Sequence, residues 1–480
     1  MHAVDMIYYW ARAVPHRPAI IQSEMVTTFQ GLADAIQSIG ERIDRLNLNR
    51  REPVAVSIAN PSFMLATAFA VLQSGYSVAP VNPPLYPYLS GAGIRNLIYD
   101  TEGLATTGGR NIRFDMSWLP VSNSGAPRML YRHRPVGDVN TILFTSGTTG
   151  LPKAGVVTKA ALAHRFRDPL ASCANGDHQK ALIVPGLAGG FGFNRACEML
   201  FAGKAACFAP SGEASLSLIE LFRVDAIVAS PQQAMALAEL QESKPGYSLS
   251  SLKTLRVGGA VIPPAMGRKL RSQLCREIIL SYASTEAGTA ARAHYDAIED
   301  IPNAVGFLGP DVELEIVDEA GAVLPTGSEG LIRLRTPQLR LNRRQDETEN
   351  GDRWFYPGDI GTLNDDRILC VTGRSGDVIN CGGVKISATK IEEVLQSLPA
   401  VKEAAACGVM DQSGLERLWI AIVAQGPLNG EEVKRFLTEH KEVRFAPSEV
   451  FIVDQIPRGD LGKVQKYRLK EQLLALKRGA

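Results

Sequence analysis

Thr141-Ile142-Leu143-Phe144-Thr145-Ser146-Gly147-Thr148-Thr149-Gly150-Leu151-Pro152-Lys153 is the stretch that decides how this chain is read. Its apolar, β-branched start predicts a strand, which opens into hydroxyls and glycines, then a proline and a lysine. Small side chains, exposed backbone N–H groups and hydroxyl donors can wrap a polyphosphate, and Lys153 adds a positive charge. The spacing is not that of the common P-loop, which needs four residues between its glycines and then Gly-Lys-Ser/Thr. Here Gly150 runs into Leu-Pro-Lys. Taken alone, the stretch also reads as a polar turn between strands.

Around it lies a chain of 480 residues, which corresponds to roughly three domain-sized units. A net charge of +1 and an ordinary apolar fraction describe a soluble globular protein with no pull towards nucleic acid. No apolar run approaches the ~18 residues of a membrane span. Residues 1–10 already carry Asp5 and read as the start of a helix rather than a signal peptide. The seven cysteines are scattered without a C-x-x-C pair, which argues against a zinc site or disulfide framework and for a reducing cytoplasm. The histidines show no H-E-x-x-H, which disfavours a transition-metal enzyme.

Strands are predicted at 19–21, 54–58 and 77–81, with helices at 29–46 and 63–73 between them. The alternation returns in strands at 181–184 and 225–228 and a helix near 195–201. Strands alternating with helices imply parallel pairing in doubly wound α/β layers. Residues 111–137, rich in Arg, Pro and Ser, read as a surface excursion before the phosphate loop. From Val312 the pattern changes to short alternating strands with turns at Gly321 and Gly327, an antiparallel barrel-like unit. The charged run 343–353 reads as a solvated loop. A boundary falls near 373–376. Beyond it, helices are expected at 387–398 and 431–439 and strands at 402–409 and 418–423.

Other stretches look like chemistry. Leu255 to Ala260 ends a strand in Gly258-Gly259-Ala260, where a flat ring can approach the backbone. Tyr282-Ala283-Ser284-Thr285-Glu286 offers an aromatic face, hydroxyls and a carboxylate at a strand end, where α/β folds bind ligands. Tyr356-Pro357-Gly358-Asp359 places a carboxylate past a turn, Gly373-Arg374 follows, and Pro457-Arg458-Gly459-Asp460-Leu461-Gly462-Lys463 puts a lysine in a Gly-rich turn. Each has a plain structural alternative, such as a helix cap, a solvated charge or a core tyrosine.

Their order along one chain resembles the adenylate-forming superfamily of acyl- and aryl-CoA synthetases, stand-alone adenylation domains and beetle luciferases. Residues 145–153 match its phosphate loop without a gap. Residues 282–286 resemble Y-G-x-T-E with alanine for the glycine, and residues 356–359 resemble Y-x-T-G-D less one position. Gly373-Arg374 matches the start of G-R-x-D, Lys463 falls on the lysine of P-x-x-x-x-G-K, and Pro80-Val81-Asn82-Pro83 resembles P-x-N-P. The fold implied is a large N-terminal domain (1–373) of two doubly wound α/β subdomains plus a distorted β-barrel. A small mobile α+β domain (377–480) follows a hinge near 374–377.

The resemblance implies two steps: a carboxylate attacks the α-phosphate of ATP, then a thiol, usually of CoA, displaces AMP. It implies that Thr145, Ser146, Gly147, Thr148, Thr149, Gly150 and Lys153 hold the β- and γ-phosphates. Glu286 would help place Mg²⁺, and Thr285 would meet the α-phosphate beside Ser284 and Ala283. Tyr282 with Gly258, Gly259 and Ala260 would flank adenine, while Asp359 and Arg374 hold the ribose. Lys463 would bridge acid and α-phosphate, and Lys385 falls where many members carry a phosphate-contacting arginine.

The chain departs from the pattern in several places. Ala188 replaces the histidine of P-x-x-H, Lys159 replaces the histidine after the phosphate loop, and Gly376 stands at a hinge that is usually Asp or Lys. Phe191 and Phe193 read either as acid-pocket lining or, more in keeping with their spacing, as core. Arg195 reads as a surface residue paired with Glu198 at i,i+3, with a second substrate carboxylate as the alternative. The leading expectation is an acid–CoA ligase acting on a small or medium organic acid, aromatic or aliphatic, in the cytoplasm, without nucleic-acid or membrane partners. The alternatives are an adenylation enzyme loading a separate carrier protein, and a nucleotide-binding protein without turnover. A homodimer is left open.

Overall fold

Thr141–Ser146 lies inside a six-stranded sheet of order Arg110–Arg113, Asn96–Tyr99, Val54–Ser57, Val78–Pro80, Thr141–Ser146, Pro152–Val157. The computed structural model describes residues 4–101, 109–120, 140–146, 152–167, 178–341, 354–381, 384–411, 416–440, 443, 446–459 and 462–479. The first five strands of this sheet are parallel and the last is antiparallel. Parallel strands need covering helices. Phe29–Arg45 and Pro61–Gln73 supply them, each started by a capping side chain: Thr28 accepts from Gly31 N, and Asn60 accepts from Ser62 N and Phe63 N. Ten of the eleven residues from Ser62 through Leu72 are buried, all but Phe63, so this helix lies within the core rather than on it.

A second sheet of thirteen strands carries the parallel set Pro18–Gln22, Ala205–Phe208, Lys180–Ile183, Ala226–Ala229, Thr254–Gly258 and Glu277–Ser284. The antiparallel unit, expected only beyond Val312, begins earlier, at Gly288, and is hydrogen-bonded in series onto this set. It comprises Gly288–His294, Ala304–Leu308, Ile368–Arg374, Asp359–Leu363, Gly330–Arg335 and Glu313–Val317. The continuous ladder brings Asp359 and Arg374, paired across two neighbouring strands, to the same side of the molecule as the glycine-ended strand Thr254–Gly258.

From Ile379 onward the buried apolar residues form clusters of their own. Ile391, Leu395, Leu418, Ile420 and Leu437 fill one face of the sheet Val401–Met410, Glu416–Ala424, Glu449–Ile452, and Trp419, Leu469 and Leu473 fill another.

Several expectations need correction. The segment after Gly109 is not simply a surface excursion: Arg110–Arg113 is an edge strand, and Phe114 and Trp118 are buried. Phe114 stacks at 5.9 Å on Phe63 and 5.7 Å on Trp118. Residues 121–139 and the charged run 343–353 lie outside the described residues. The strand Glu449–Ile452 and the closing helix Lys466–Gly479 were not anticipated. Among the described residues no helix is long and apolar enough to cross a membrane.

Candidate active site

Two parallel strands, Thr254–Gly258 and Glu277–Ser284, run side by side with Gly258 opposite Ser281. Their carboxyl ends form the edge at which α/β sheets take ligands. The register with Gly288–His294 slips between Tyr282 and Ala283, a bulge of the kind that re-aims side chains beside functional sites. Ser284 Oγ then accepts from Ala287 N at 3.0 Å, turning Thr285 and Glu286 back along the sheet edge.

The hairpin of Thr141–Ser146 and Pro152–Val157 meets this turn. Thr145 pairs with Lys153 and Ser146 with Pro152 across antiparallel strands. The loop residues Gly147, Thr148, Thr149 and Gly150 lie outside the described residues, so their expected contacts stay an expectation. Gly155, on the returning strand, leaves its backbone open to the turn. A Cβ there would sit 3.5 Å from Thr285 Cγ2 and 3.7 Å from Glu286 Oε1. Lys153 is exposed on the same strand.

Tyr282, Asp359 and Arg374 form one hydrogen-bonded group. The tyrosine donates to Asp359 Oδ2 at 2.6 Å, and Arg374 Nε donates to Asp359 Oδ1 at 2.9 Å. Burial first, and the adjacent carboxylate second, push the phenol far above its ordinary range, so it stays a donor. Asp359 is 6 % exposed, but a carboxylate has about four acceptor positions, leaving room for further donors. The flat ring packed on the strand-end glycine is that of Phe191. Its Cζ lies 3.3 Å from where a Cβ of Gly258 would be. Gly259 adopts φ +97°, which a larger residue resists, while Gly259 and Ala260 are exposed.

Lys463 enters from the C-terminal part of the chain. Its Cε lies 3.8 Å from the position of a Gly259 Cβ. Burial and the Arg374 guanidinium hold its ammonium down at about 8, against the upward pull of Asp359 and Asp377. The turn presenting it is tied by Gly459 N to Lys463 O at 2.9 Å and by Arg458 Nη1 to Gly462 O at 2.6 Å. Arg458 is itself fixed by Glu403 at 2.7 Å. Gly462 sits at φ +74° against Gln232 of the helix Pro231–Ser243, whose Oε1 would be 2.1 Å from an added Cβ. Gly376 lies in the short helical turn Ser375–Asp377, and Lys385 on the strand Val384–Ser387 opposite Asn380.

Two residues near Thr285 carried no signal in the sequence. Arg165 is 7 % exposed and donates from Nη2 to Thr285 O and from Nε to Gln338 Oε1, both at 3.1 Å. Asn194 is 6 % exposed, one turn beyond Gly190. The two phenylalanines part company: Phe193 is fully buried core, while Phe191 is partly exposed. Arg195 does pair with Glu198, but not at the surface. Its side chain is 13 % exposed, and Glu198 also holds Arg256 at 3.3 Å. The third partner, from a strand far along the chain, draws the pair inside.

The site is suited to gathering negative charge. Lys463 is buried beside Arg374, where charge interactions are stronger than in water, and Lys153 adds an exposed cation on the hairpin. Among the described residues no cluster of three His, Cys, Asp or Glu could cage a metal ion. Glu286 is a single carboxylate beside Gly155 of the hairpin. That fits Mg²⁺, which is commonly held by one or two carboxylates together with substrate phosphates and water.

The profile of the family described as AMP-binding enzyme matches residues 7–341, and that of the AMP-binding enzyme C-terminal domain matches residues 390–463. Medium-chain fatty-acid–CoA ligase of Escherichia coli (strain K12) is 28 % identical over 356 residues, 70 % of this chain and 62 % of that protein's length. Feruloyl-CoA synthase of Amycolatopsis sp is 26 % identical over 488 residues, 96 % of this chain and 97 % of that one. O-succinylbenzoate coenzyme A synthetase from Bacillus subtilis, in complex with ATP and magnesium ion, shares the fold at TM-score 0.79 and 21 % identity. That likeness covers 97 % of this chain and 99 % of the other.

Proposed function

Because the chain belongs to the AMP-binding enzymes, the adenylate-forming superfamily of AMP-forming ligases, we propose that it activates a small organic acid with ATP and transfers the acyl group to CoA. An oxygen of the carboxylate attacks the α-phosphorus, the bond to the bridging oxygen breaks, and pyrophosphate leaves. The CoA sulfur, losing its proton to solvent, then attacks the acyl carbon and AMP departs. No base is needed in the first step, since the acid arrives ionised at neutral pH.

The obstacle is repulsion between a carboxylate and a triphosphate, and preorganised cations and N–H donors are the remedy. Lys463 bridges the attacking carboxylate and the α-phosphate. Residues 145–153 hold the β- and γ-phosphates, and Thr285, beside Ala283 and Ser284, meets the α-phosphate. Asp359 and Arg374 hold the ribose, with Tyr282 and residues 258–260 beside the adenine, and Lys385 contacts phosphate. Glu286 would hold Mg²⁺, which neutralises phosphate charge when bound. In the second step the unit beyond residue 376 swings about Gly376 and withdraws the lysine, opening the path for the thiol.

One observation carries this reading: the lowered ammonium of Lys463 lies against Gly259 and between the fields of Arg374 and Asp359. CoA as acceptor is supported by the names of the two relatives, both CoA-dependent. The test is acid-dependent pyrophosphate release over a panel of acids, followed by addition of CoA and detection of the thioester. Lys463→Ala should abolish release while ATP binding survives, because the lysine acts mainly on the transition state. Equal release by variant and parent defeats that role. Adenylate that accumulates untouched by CoA assigns the acceptor to a carrier protein instead.

A further inference from the structure

We propose that Arg165 is a buried counter-charge for the nucleotide's phosphates, a positioning residue that fixes the turn 284–288 by its backbone and lends it a positive field. This deepens the ligase reading above and rests on it. Arg165 lies on the helix Lys159–Arg167, which follows the hairpin strand Pro152–Val157. It is 7 % exposed, and its guanidinium reaches two distant parts of the chain. Nη2 donates to Thr285 O and Nε donates to Gln338 Oε1, both at 3.1 Å.

The turn is held from several sides. Gln338 is buried and lies on the backbone of Gly288, where φ is +73° and a Cβ would fall 1.7 Å from Gln338 Oε1. Glycine alone suits both that left-handed backbone and the approach of the amide. Thr336, also buried, donates from Oγ1 to Ala287 O at 2.8 Å, and Ser284 Oγ accepts from Ala287 N at 3.0 Å. The side chain of Thr285 lies between two glycines of other elements. Their added Cβ atoms would sit 3.5 Å from its Cγ2 at Gly155 and 3.0 Å from its Oγ1 at Gly190. Arg165 thus ties the helix after the hairpin to the carbonyl of the residue assigned to the α-phosphate.

A strut alone would need no charge here, since a carbonyl and an amide oxygen are both neutral acceptors. Burying a guanidinium against neutral groups is costly. Among the described residues no carboxylate is bonded to Arg165, and the two oxygens of nearby Glu198 are engaged by Arg195 and Arg256. Burial, and then the guanidinium of Arg195, pull Arg165 down to about 10, while Glu198 and Glu286 pull it up from a distance. It therefore stays a cation at neutral pH. A fixed buried cation without a bonded anion is completed by an anion that arrives, with no reorganisation at that moment. The reading above places phosphate at Thr285, one hydrogen bond away.

Gln338→Glu separates a strut from a counter-charge. The change nearly keeps the shape and sets a carboxylate against Nε of Arg165, which strengthens a strut through a charge-assisted bond but neutralises a counter-charge. Titration calorimetry of the full chain with Mg·ATP, AMP and adenosine, beside the thermal midpoint without ligand, reads both. In Gln338→Glu the midpoint should not fall, and Kd for Mg·ATP and for AMP should rise by about tenfold or more, with adenosine within about twofold of the parent. Arg165→Lys, which keeps the charge and loses part of the fork, should bind Mg·ATP more tightly than Arg165→Gln. Unchanged Mg·ATP affinity in Gln338→Glu, adenosine weakened as much as ATP, or equal affinity in Arg165→Lys and Arg165→Gln overturns the assignment of Arg165 and leaves the ligase reading standing. A parent chain that binds neither Mg·ATP nor AMP overturns the ligase reading, and this inference with it.

Discussion

Tyr282 donates its phenolic O–H to Oδ2 of Asp359 over 2.6 Å, while Arg374 takes the other oxygen at 2.9 Å. The residues come from three strands, Glu277–Ser284, Asp359–Leu363 and Ile368–Arg374, joined through one continuous sheet. The carboxylate is thus clamped on two sides in the plane where it would accept ribose hydroxyls. Its orientation is set before nucleotide arrives.

Tyr282→Phe removes one side of that clamp without emptying the space. A hydrogen bond to a charged group contributes about 1.5–3 kcal/mol, so the KM for ATP should rise by roughly tenfold. The change in kcat should be small, since the proposed place of the tyrosine is beside the nucleotide and not at the transferring phosphorus. Steady-state pyrophosphate release at varied ATP measures both. An unchanged KM would mean that Arg374 alone orients Asp359.

The ammonium of Lys463 at about 8 gives adenylation an alkaline limit. The lysine acts as a cation, so kcat/KM, which reports the free enzyme, should fall as pH rises through about 8. Lys463→Arg should remove that limb, since a guanidinium keeps its charge. Asp377→Asn should move the limb to lower pH, because Asp377 is one of the two carboxylates that pull the value up. The stability sign is opposite. Between about 8 and 10.5 the unfolded chain holds a proton that the folded lysine has lost, so folding gains with rising pH in that window. A rate profile that is flat from pH 7 to 9.5 would remove the cationic role.

Much of this arrangement was legible in the sequence where one local rule governed. The strand runs, the glycines ending Thr254–Gly258 and the ordered motifs each needed only their own neighbours. What escaped depended on distant partners. Arg195 and Glu198 read as an i,i+3 surface pair, but Arg256 joins them from a strand 58 residues beyond Glu198 and the trio is buried. Phe114 and Trp118 were hidden among Arg110, Arg113 and Asp115, and the helix Lys466–Gly479 shows inward-facing Leu469 and Leu473 amid lysines and arginines. Arg165 lies in an ordinary helical stretch, and nothing local marks a side chain that reaches Thr285. The approach of Lys463 to Gly259 depends on how the C-terminal unit docks, which no periodicity encodes.

That docking can be tested at Gly462, the residue before the lysine. It holds φ +74°, and an added Cβ would fall 2.1 Å from Oε1 and 3.2 Å from Cβ of Gln232. An alanine here meets a left-handed backbone worth about 1–2 kcal/mol and an overlap with the Gln232 side chain of the helix Pro231–Ser243, whose flexible end must shift to admit it. The overlap exists only while the lysine turn lies on that helix. Gly462→Ala should therefore slow adenylation by roughly tenfold or more, while thioester formation from preformed acyl-adenylate and CoA, which follows withdrawal of the turn, loses much less. Adding Gln232→Ala should relieve the overlap and not the backbone strain, giving partial recovery of the first step. Single-turnover measurement of each half-reaction separates these outcomes, and an equal loss in both would show that the turn stays on the helix throughout.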